Sequence, residues 1–320
     1  MPPVAKRLLT QAGPFLGLAV VIALFAIPAE TREFFLTYHN FKIILTQTVI
    51  VAIGALGMTL IIISGGIDLS VGSTIAFTGV IGALLIQQGC SIPTVVVTSI
   101  AAGGAIGLLH GLAIAKLRMT PFIVTLGSLG IVRGAAILCA SSQTVTYDDS
   151  PLNSWMRTKN AFDYTLPVGV WVAIALALLT AVLLRQTVFG RYIFALGSNE
   201  SAARLCGVPT GLVKIATYTL GGCLFGLAGI FQLSRLGVGD PTVANGLELD
   251  IIAAVIIGGA SLNGGVGTIL GSMIGAFTMA VLRNGSGQMG WPTPVQMIII
   301  GCVIIIAVFI DRLRQGRSNA

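Results

Sequence analysis

The sequence predicts an all-α, polytopic bundle of transmembrane helices, and three observations carry that expectation. Hydrophobic residues make up 55% of the 320 residues and charged ones 9%, whereas a soluble domain carries about 25% charged residues. So few charges cannot cover the surface of a soluble fold of this length, but lipid tails solvate apolar helices directly. Apolar runs close to the roughly 20 residues needed to cross a bilayer recur along the chain. The 41 glycines suit a membrane bundle, where bare backbones let helices approach closely. Residues 1–320 read as a single membrane domain.

The first run, 13–29, follows Lys6 and Arg7. Its small-residue end at Ala26-Ile27-Pro28-Ala29 resembles a signal peptide, but many further runs follow and an uncleaved first helix fits better. Runs at 43–64, 71–86, 93–115 and 119–140 come next. A polar stretch, 141–165, carries Asp148, Asp149, Arg157, Lys159 and Asp163. The run at 166–184 leads into a basic, amphipathic loop at 185–209, and runs at 213–233, 249–260, 266–282 and 295–310 complete the series. The runs at 71–86 and 249–260 are short and could be tilted, broken or re-entrant, so ten spans are expected, with eight or nine as alternatives.

Ten spans put both termini on one side. That side then holds Lys6, Arg7, Lys116, Arg118, Arg185, Arg191, Arg204, Lys214, Arg312, Arg314 and Arg317, against Arg32, Lys42, Arg157, Lys159, Arg235 and Arg283 on the other. Eleven against six orients both termini to the cytoplasm by the positive-inside rule. The same placement explains the net charge of +7 without a nucleic-acid partner. Cys90, Cys139, Cys206, Cys223 and Cys302 have no paired spacing for metal or redox chemistry and read as small packing residues. Residues 62–69, IISGGIDL, are echoed by 256–262, IIGGASL; transporters built of repeated halves carry such Gly-interrupted segments at matching positions, though membrane sequences also converge on such patterns.

Three motifs stand out. In Gly65-Gly66-Ile67-Asp68-Leu69-Ser70-Val71-Gly72-Ser73, Asp68 or Ser70 can cap the next helix, or Asp68 and Ser70 can belong to a translocation pathway or its gate. In 190–209, GRYIFALGSNESAARLCGVP, Asn199 or Ser198 is an N-cap, Glu200 falls in the first turn, and Gly207 with Pro209 ends a short helix. Glu200 and Arg204 are spaced as a helical pair. A short capped helix of this kind fits a groove on another protein, or is a connector lying on the membrane. In the third motif, Gly267, Gly271 and Gly275 recur every four residues, a spacing that suits close helix packing.

Isolated groups are fewer. Arg133 can snorkel outward from its span or reach a pathway. Gln47, Thr59 and Gln296 lie within spans and either face a pathway or bond a neighbouring helix. Glu248 and Asp250 read as first-turn acids, or as part of an outer surface. His110 lies near the cytoplasmic end of a span, and no second His or acid makes a metal site around it. No catalytic constellation and no metal-ligand set is expected.

The first two motifs and the segment 248–271, ELDIIAAVIIGGASLNGGVGTILG, in this order and over residues 41–311, resemble those of ribose-type sugar permeases of bacterial ABC importers; the stretch 141–165 has no matching motif. The resemblance implies the membrane subunit of a machine, with a second permease copy or homologue as dimer partner, a cytoplasmic ATPase subunit, and a periplasmic or extracellular sugar-binding protein. It implies that 185–212 is a cytoplasmic coupling loop in which Gly197, Asn199, Glu200, Ala203, Arg204 and Gly207 meet the ATPase, with ATP and Mg on that partner and no cofactor on this chain. The sequence agrees, having no Gly-x-x-x-x-Gly-Lys-Ser/Thr phosphate loop. Asp68, Ser70, Arg133, Gln47 and Gln296 are the candidate pathway groups. The competing class is a stand-alone carrier or channel, disfavoured because Asp68 is the acid nearest a span interior by sequence.

Overall fold

The computed structural model describes residues 3–157 and 165–316; Lys159, Asp163 and Arg317 lie outside them. The helices, in chain order, are α1 (Pro3–Ala26), α2 (Ala29–Phe35), α3 (Tyr38–Ile63), α4 (Val71–Gln87), α5 (Ile92–Lys116), α6 (Pro121–Cys139), α7 (Val168–Gln186), α8 (Val188–Ser198), α9 (Glu200–Leu205), α10 (Thr210–Leu236), α11 (Leu247–Ile257), α12 (Ile269–Gln288) and α13 (Thr293–Gly316). A two-residue antiparallel ribbon joins β1 (Val145–Thr146) to β2 (Val238–Gly239). The protein is an all-α membrane bundle. Each of the ten apolar runs falls on a helix, and among the described residues α3, α5, α6, α7 and α10 are long and apolar enough to cross a membrane. The 11 residues of α11 extend only about 16 Å, about half of a bilayer core, so that run is a half-helix between irregular segments.

The centre of the bundle is α3, whose apolar window is 89% buried. Around it pack α10, α12, α11 and α7. Glycine decides how close these helices come. A Cβ on Gly103 of α5 would lie 2.3 Å from the Gly222 carbonyl oxygen of α10, and one on Gly107 would lie 2.1 Å from that of Tyr218. Any side chain there would force the two helices apart, which is how small residues hold membrane helices together. The third glycine motif works similarly on α12: Cβ atoms on Gly271 and Gly275 would each stand 1.9 Å from α11 carbonyl-side oxygens, those of Gly258 and Ala254. Gly267 precedes α12 and so is not on its face; it lies against Ile63 and Ala260 instead. Thr59 bonds a neighbouring helix, its Oγ1 lying 2.7 Å from Ser272 Oγ.

The stretch expected as a loop at 185–209 is mostly helical. Its first part forms α8, which buries Gly190, Ile193 and Leu196 along one face, while Thr187 Oγ1 accepts the Gly190 N–H at 3.1 Å and starts it. α9 follows as the sequence indicates. Four of the six basic residues expected on the outer side, Arg32, Lys42, Arg235 and Arg283, lie on α2, α3, α10 and α12. All five cysteines are free.

Candidate functional site

At one end of the bundle the three sequence motifs meet. α3 stops where Gly65 takes a left-handed conformation, φ 85°, and the Gly65 and Gly66 N–H groups donate back to Ile62 and Ile61. This closes the helix and leaves the Ile63 carbonyl available. It accepts the Gly265 N–H at 2.8 Å. The echoed segment ends α11 in the same way, with Gly259 at φ 88° and the Gly259 and Ala260 N–H groups on Ile256 and Val255. Between the first turn and residues 264–265, ahead of α12, lies Gly197 of α8. A Cβ at that position would fall 1.7 Å from Ile63 O and 2.6 Å from Gly265 N, and one at Gly264 would fall 2.7 Å from Gly197 O. Backbone rests on backbone here, with no room for a side chain.

Beyond Gly197, Asn199 Oδ1 accepts the Ala202 N–H at 2.9 Å and caps α9. Gly207, φ 83°, ends it, with Gly207 N–H on Arg204 and Val208 N–H on Ala203. Ala203 is buried, whereas Leu205 at the tip is 90% exposed. Glu200 pairs with Arg204 at 3.1 Å, the helical pair expected, and also with Lys214 of α10 at 2.8 Å. Burial alone would raise the Glu200 carboxyl, but the Lys214 ammonium and then Arg204 outweigh it and hold it below its usual range. A groove of about 800 Å³ separates this helix from the α5–α6 connection and is lined by Glu200, Arg204, Leu205 and Lys214 on one side and Arg118 and Met119 on the other.

The turn after α3 carries a buried polar chain that the sequence did not disclose. Asp68 and Ser70 are 1% and 0% exposed. Ser70 does not cap α4 with its side chain; its N–H and Oγ–H both donate to Asp68 Oδ1, at 2.8 and 2.6 Å. Asp68 Oδ2 lies 3.2 Å from His110 Nδ1 of α5, and His110 Nε2 lies 2.6 Å from Ser128 Oγ of α6. With Asp68 Oδ2 as the acceptor, Nδ1 is the donating ring nitrogen, and Ser128 can then donate to Nε2. His110 thus has an acid beside it that the sequence did not point to, because a partner 42 residues away leaves no mark in local spacing. The connectivity is that of a Ser-His-Asp triad, but Ser128 is mid-helix, where neighbouring N–H groups are spent in the helix ladder and cannot stabilise an oxyanion. The chain ties the turn to α5 and α6. Thr125 adds a bond to Ile67 O at 3.2 Å, and the Tyr218 hydroxyl presses on Gly66, where a Cβ would stand 2.2 Å from it.

The remaining candidates lie at the opposite end. Gln47 and Gln296 line one cavity of about 320 Å³. Arg133 donates to the carbonyls of Pro241 and Val243, at 2.7 and 2.8 Å, and so fastens α6 to the segment before α11. Asp250, fully buried, is paired with Arg283 Nε, while Glu248 Oε1 accepts the Gly246 N–H at 3.2 Å. Among the described residues no group of His, Cys, Asp and Glu could hold a metal.

Residues 40–308 match the family of branched-chain amino acid transport system permease components. The ribose import permease protein RbsC of Escherichia coli strain K12 is 38% identical over 302 residues, covering 93% of this chain and 94% of that protein. The L-arabinose ABC transporter permease protein AraH of Azospirillum brasilense is 34% identical, covering 94% and 88%. The xylose transport system permease protein XylH of Escherichia coli strain K12 is 31% identical, covering 95% and 93%. No solved structure matches. The three motifs are thus carried on a chain alike over nearly its whole length to these permeases, and the protein belongs to the family of ABC-importer permeases of the ribose type, multi-pass components of the bacterial inner membrane.

Proposed function

We propose that this permease passes a monosaccharide of the pentose class across the membrane, as ten spans with both termini in the cytoplasm. The relatives name ribose, L-arabinose and xylose, which are all pentoses. A binding protein delivers the sugar at the outer end, a second permease copy or homologue completes the pathway, and ATP with Mg is bound by a separate ATPase subunit. Residues 185–212 are the coupling loop in this scheme.

The observation that carries the proposal is the seat of α9. Its exposed Leu205 and the Glu200–Arg204 pair border the groove of about 800 Å³, so a partner subunit has a shaped place to dock. Gly197, at the end of the α8 helix that leads into α9, bears directly on the carbonyl end of α3 and on the turn before α12. Packed backbone contacts of this kind transmit displacement instead of absorbing it. ATP-linked states of the ATPase must then make different contacts with α9, since a ligand moves an equilibrium only by its differential interaction with the two states. Asp68, His110 and Ser128 carry the same movement sideways into α5 and α6.

Reconstitution tests this. Proteoliposomes holding the permease with its cognate ATPase and binding protein should take up labelled D-ribose, L-arabinose or D-xylose only with internal ATP; sugar transport by the permease alone would defeat the proposal. In detergent, Glu200→Lys with Gly207→Trp should abolish co-purification with the ATPase while the permease stays folded, and undiminished co-purification would remove α9 from the docking surface.

A further inference from the structure

The cavity of about 320 Å³ at the outer end falls within the roughly 300–1,000 Å³ typical of small-molecule sites. Gln47 of α3, Gln232 and Arg235 of α10, and Asn245 line it. Among the described residues none of these four side chains makes a hydrogen bond with another protein group. Gln232 is the sharpest case. It is only 8% exposed, and amides so buried are ordinarily satisfied by the fold. Gln296 is fixed by donating its Nε2–H to Trp291 O at 2.9 Å, which leaves its amide oxygen free to accept.

The lining chemistry is specific. None of the lining residues is acidic, so the cavity does not suit a cation. Arg283 also faces it, but Asp250 behind it matches that charge. What remains is one unmatched guanidinium among several carboxamides. A sugar hydroxyl gives one hydrogen bond and accepts up to two; a carboxamide both gives and accepts, and a guanidinium gives from a planar fork. A lone guanidinium can also fork onto a carboxylate; it is the several carboxamides beside it, which both give and accept hydrogen bonds as hydroxyls do, that favour a neutral polyol. Ile50, Val51 and Leu247 supply an apolar wall for the C–H face of a ring.

The geometry points to this cavity as the site where the bundle receives one neutral monosaccharide ring, with Gln47 and Gln232 exchanging hydrogen bonds with hydroxyls and Arg235 donating to a further oxygen. It rests on the importer reading above and adds the residues that hold the sugar within the membrane subunit.

The test uses the full complex in proteoliposomes, and follows two signals: ATP-driven uptake of D-ribose, and ATP hydrolysis stimulated by loaded binding protein. Gln232→Leu and Arg235→Gln should each lower uptake tenfold or more, the loss of one charge-assisted or buried hydrogen bond, while stimulated hydrolysis continues because α9 is untouched. Gln47→Leu, on a different helix, repeats the test should either α10 variant fail to assemble. The ratio of D-ribose to 2-deoxy-D-ribose uptake separates recognition from packing. It should move toward one in these variants, because a site built to bond a hydroxyl rejects the analogue lacking it. Uptake unchanged in all three variants would overturn the site, as would reduced uptake with an unchanged ratio, or wild-type preference for D-galacturonate over neutral sugars. Each of these outcomes leaves the importer reading standing; that reading falls separately if the wild-type complex takes up sugar without ATP.

Discussion

At the α9 end, Ile63, Gly197 and Gly265 meet through backbone atoms with no intervening side chain, whereas at the opposite end Gln47, Gln232 and Arg235 line an open cavity. The difference separates two tasks of a membrane machine. A junction that must pass movement from one helix to another gains from contacts that cannot yield, and close-packed backbone is the stiffest material available. A junction that must receive a small polar molecule gains from side chains that exchange partners. Glycine fills the first because any larger residue would hold the surfaces apart; amides and a guanidinium fill the second because each offers hydrogen bonds to spare.

Breaking the polar chain beside the stiff junction should have the largest effect. Asp68→Ala leaves the His110 Nδ1–H and both Ser70 donors without their acceptor in a site that is almost fully buried; each buried donor left unsatisfied costs about 1–3 kcal/mol. The expected outcome is a large loss of thermal stability in detergent together with loss of ATP-driven uptake. Asp68→Asn, which keeps an acceptor oxygen for Ser70, should lose less. If the alanine variant is as stable as wild type, the chain from Asp68 to Ser128 is not what holds the turn.

Gly197→Val comes next and isolates the backbone contact itself. The new Cβ would overlap the Ile63 carbonyl oxygen, and overpacking of this sort costs about 1–3 kcal/mol. Gly207→Ala is its control: that residue has φ 83° and open space around it, so only the left-handed backbone resists, at about 1–2 kcal/mol. If stiffness at the junction matters for coupling, Gly197→Val should uncouple ATP hydrolysis from uptake and Gly207→Ala should not. Equal coupling in the two variants would mean that the close contact has no mechanical role.

What the sequence disclosed follows the same division. Apolar length is a local property, so every run predicted as a span lies on a helix. The cap and stop of α9 were legible because Asn199 and Gly207 act on their own neighbours. The echo between 62–69 and 256–262 was legible, and it corresponds to two helix ends closed by the same hydrogen bonds. Long-range pairing was not: Asp68, His110 and Ser128 come together only after α3, α5 and α6 have packed. Gln47 and Gln296 could be marked as polar groups within apolar runs, yet their sharing one cavity depends on the fold. Gln232 and Arg235 were missed because they end an apolar run, where an Arg reads as a loop charge. Their spacing of three residues, one helix face, was the available signal. The α8 segment, 11 residues with Arg191 as its one charge, reads with its flanks as a basic, amphipathic loop because it is too short to span.

At the cavity end, Arg133→Ala should have a moderate effect. It removes two hydrogen bonds from a charged donor to the carbonyls of Pro241 and Val243, each ordinarily worth about 1.5–3 kcal/mol when fully made. Because Arg133 is only half-buried, the lower figure applies. The consequence should be local: faster amide exchange over residues 241–246, which border the cavity, with the global melting temperature little changed. A uniform rise in exchange throughout α6 would show instead that Arg133 supports the helix and not the segment.

The smallest effect returns to α9. Glu200 is 39% exposed and bonded to Lys214 and Arg204, so solvent screening holds the worth of these pairs to a few tenths of a kcal/mol. Glu200→Gln should leave stability within that range, while high salt weakens wild type by a similar amount. The pH dependence has a definite sign. The folded carboxyl sits below its ordinary value of 4.5, so the stabilisation is present above 4.5 and disappears as pH falls through the lower folded value. ATPase co-purification followed from neutral pH downward should therefore hold steady to about that value and decline beneath it, and the glutamine variant should lack that acidic step. An identical decline in both proteins would assign it to another carboxylate on the docking surface, and α9 would then owe its place in the groove to Leu205 and its backbone caps alone.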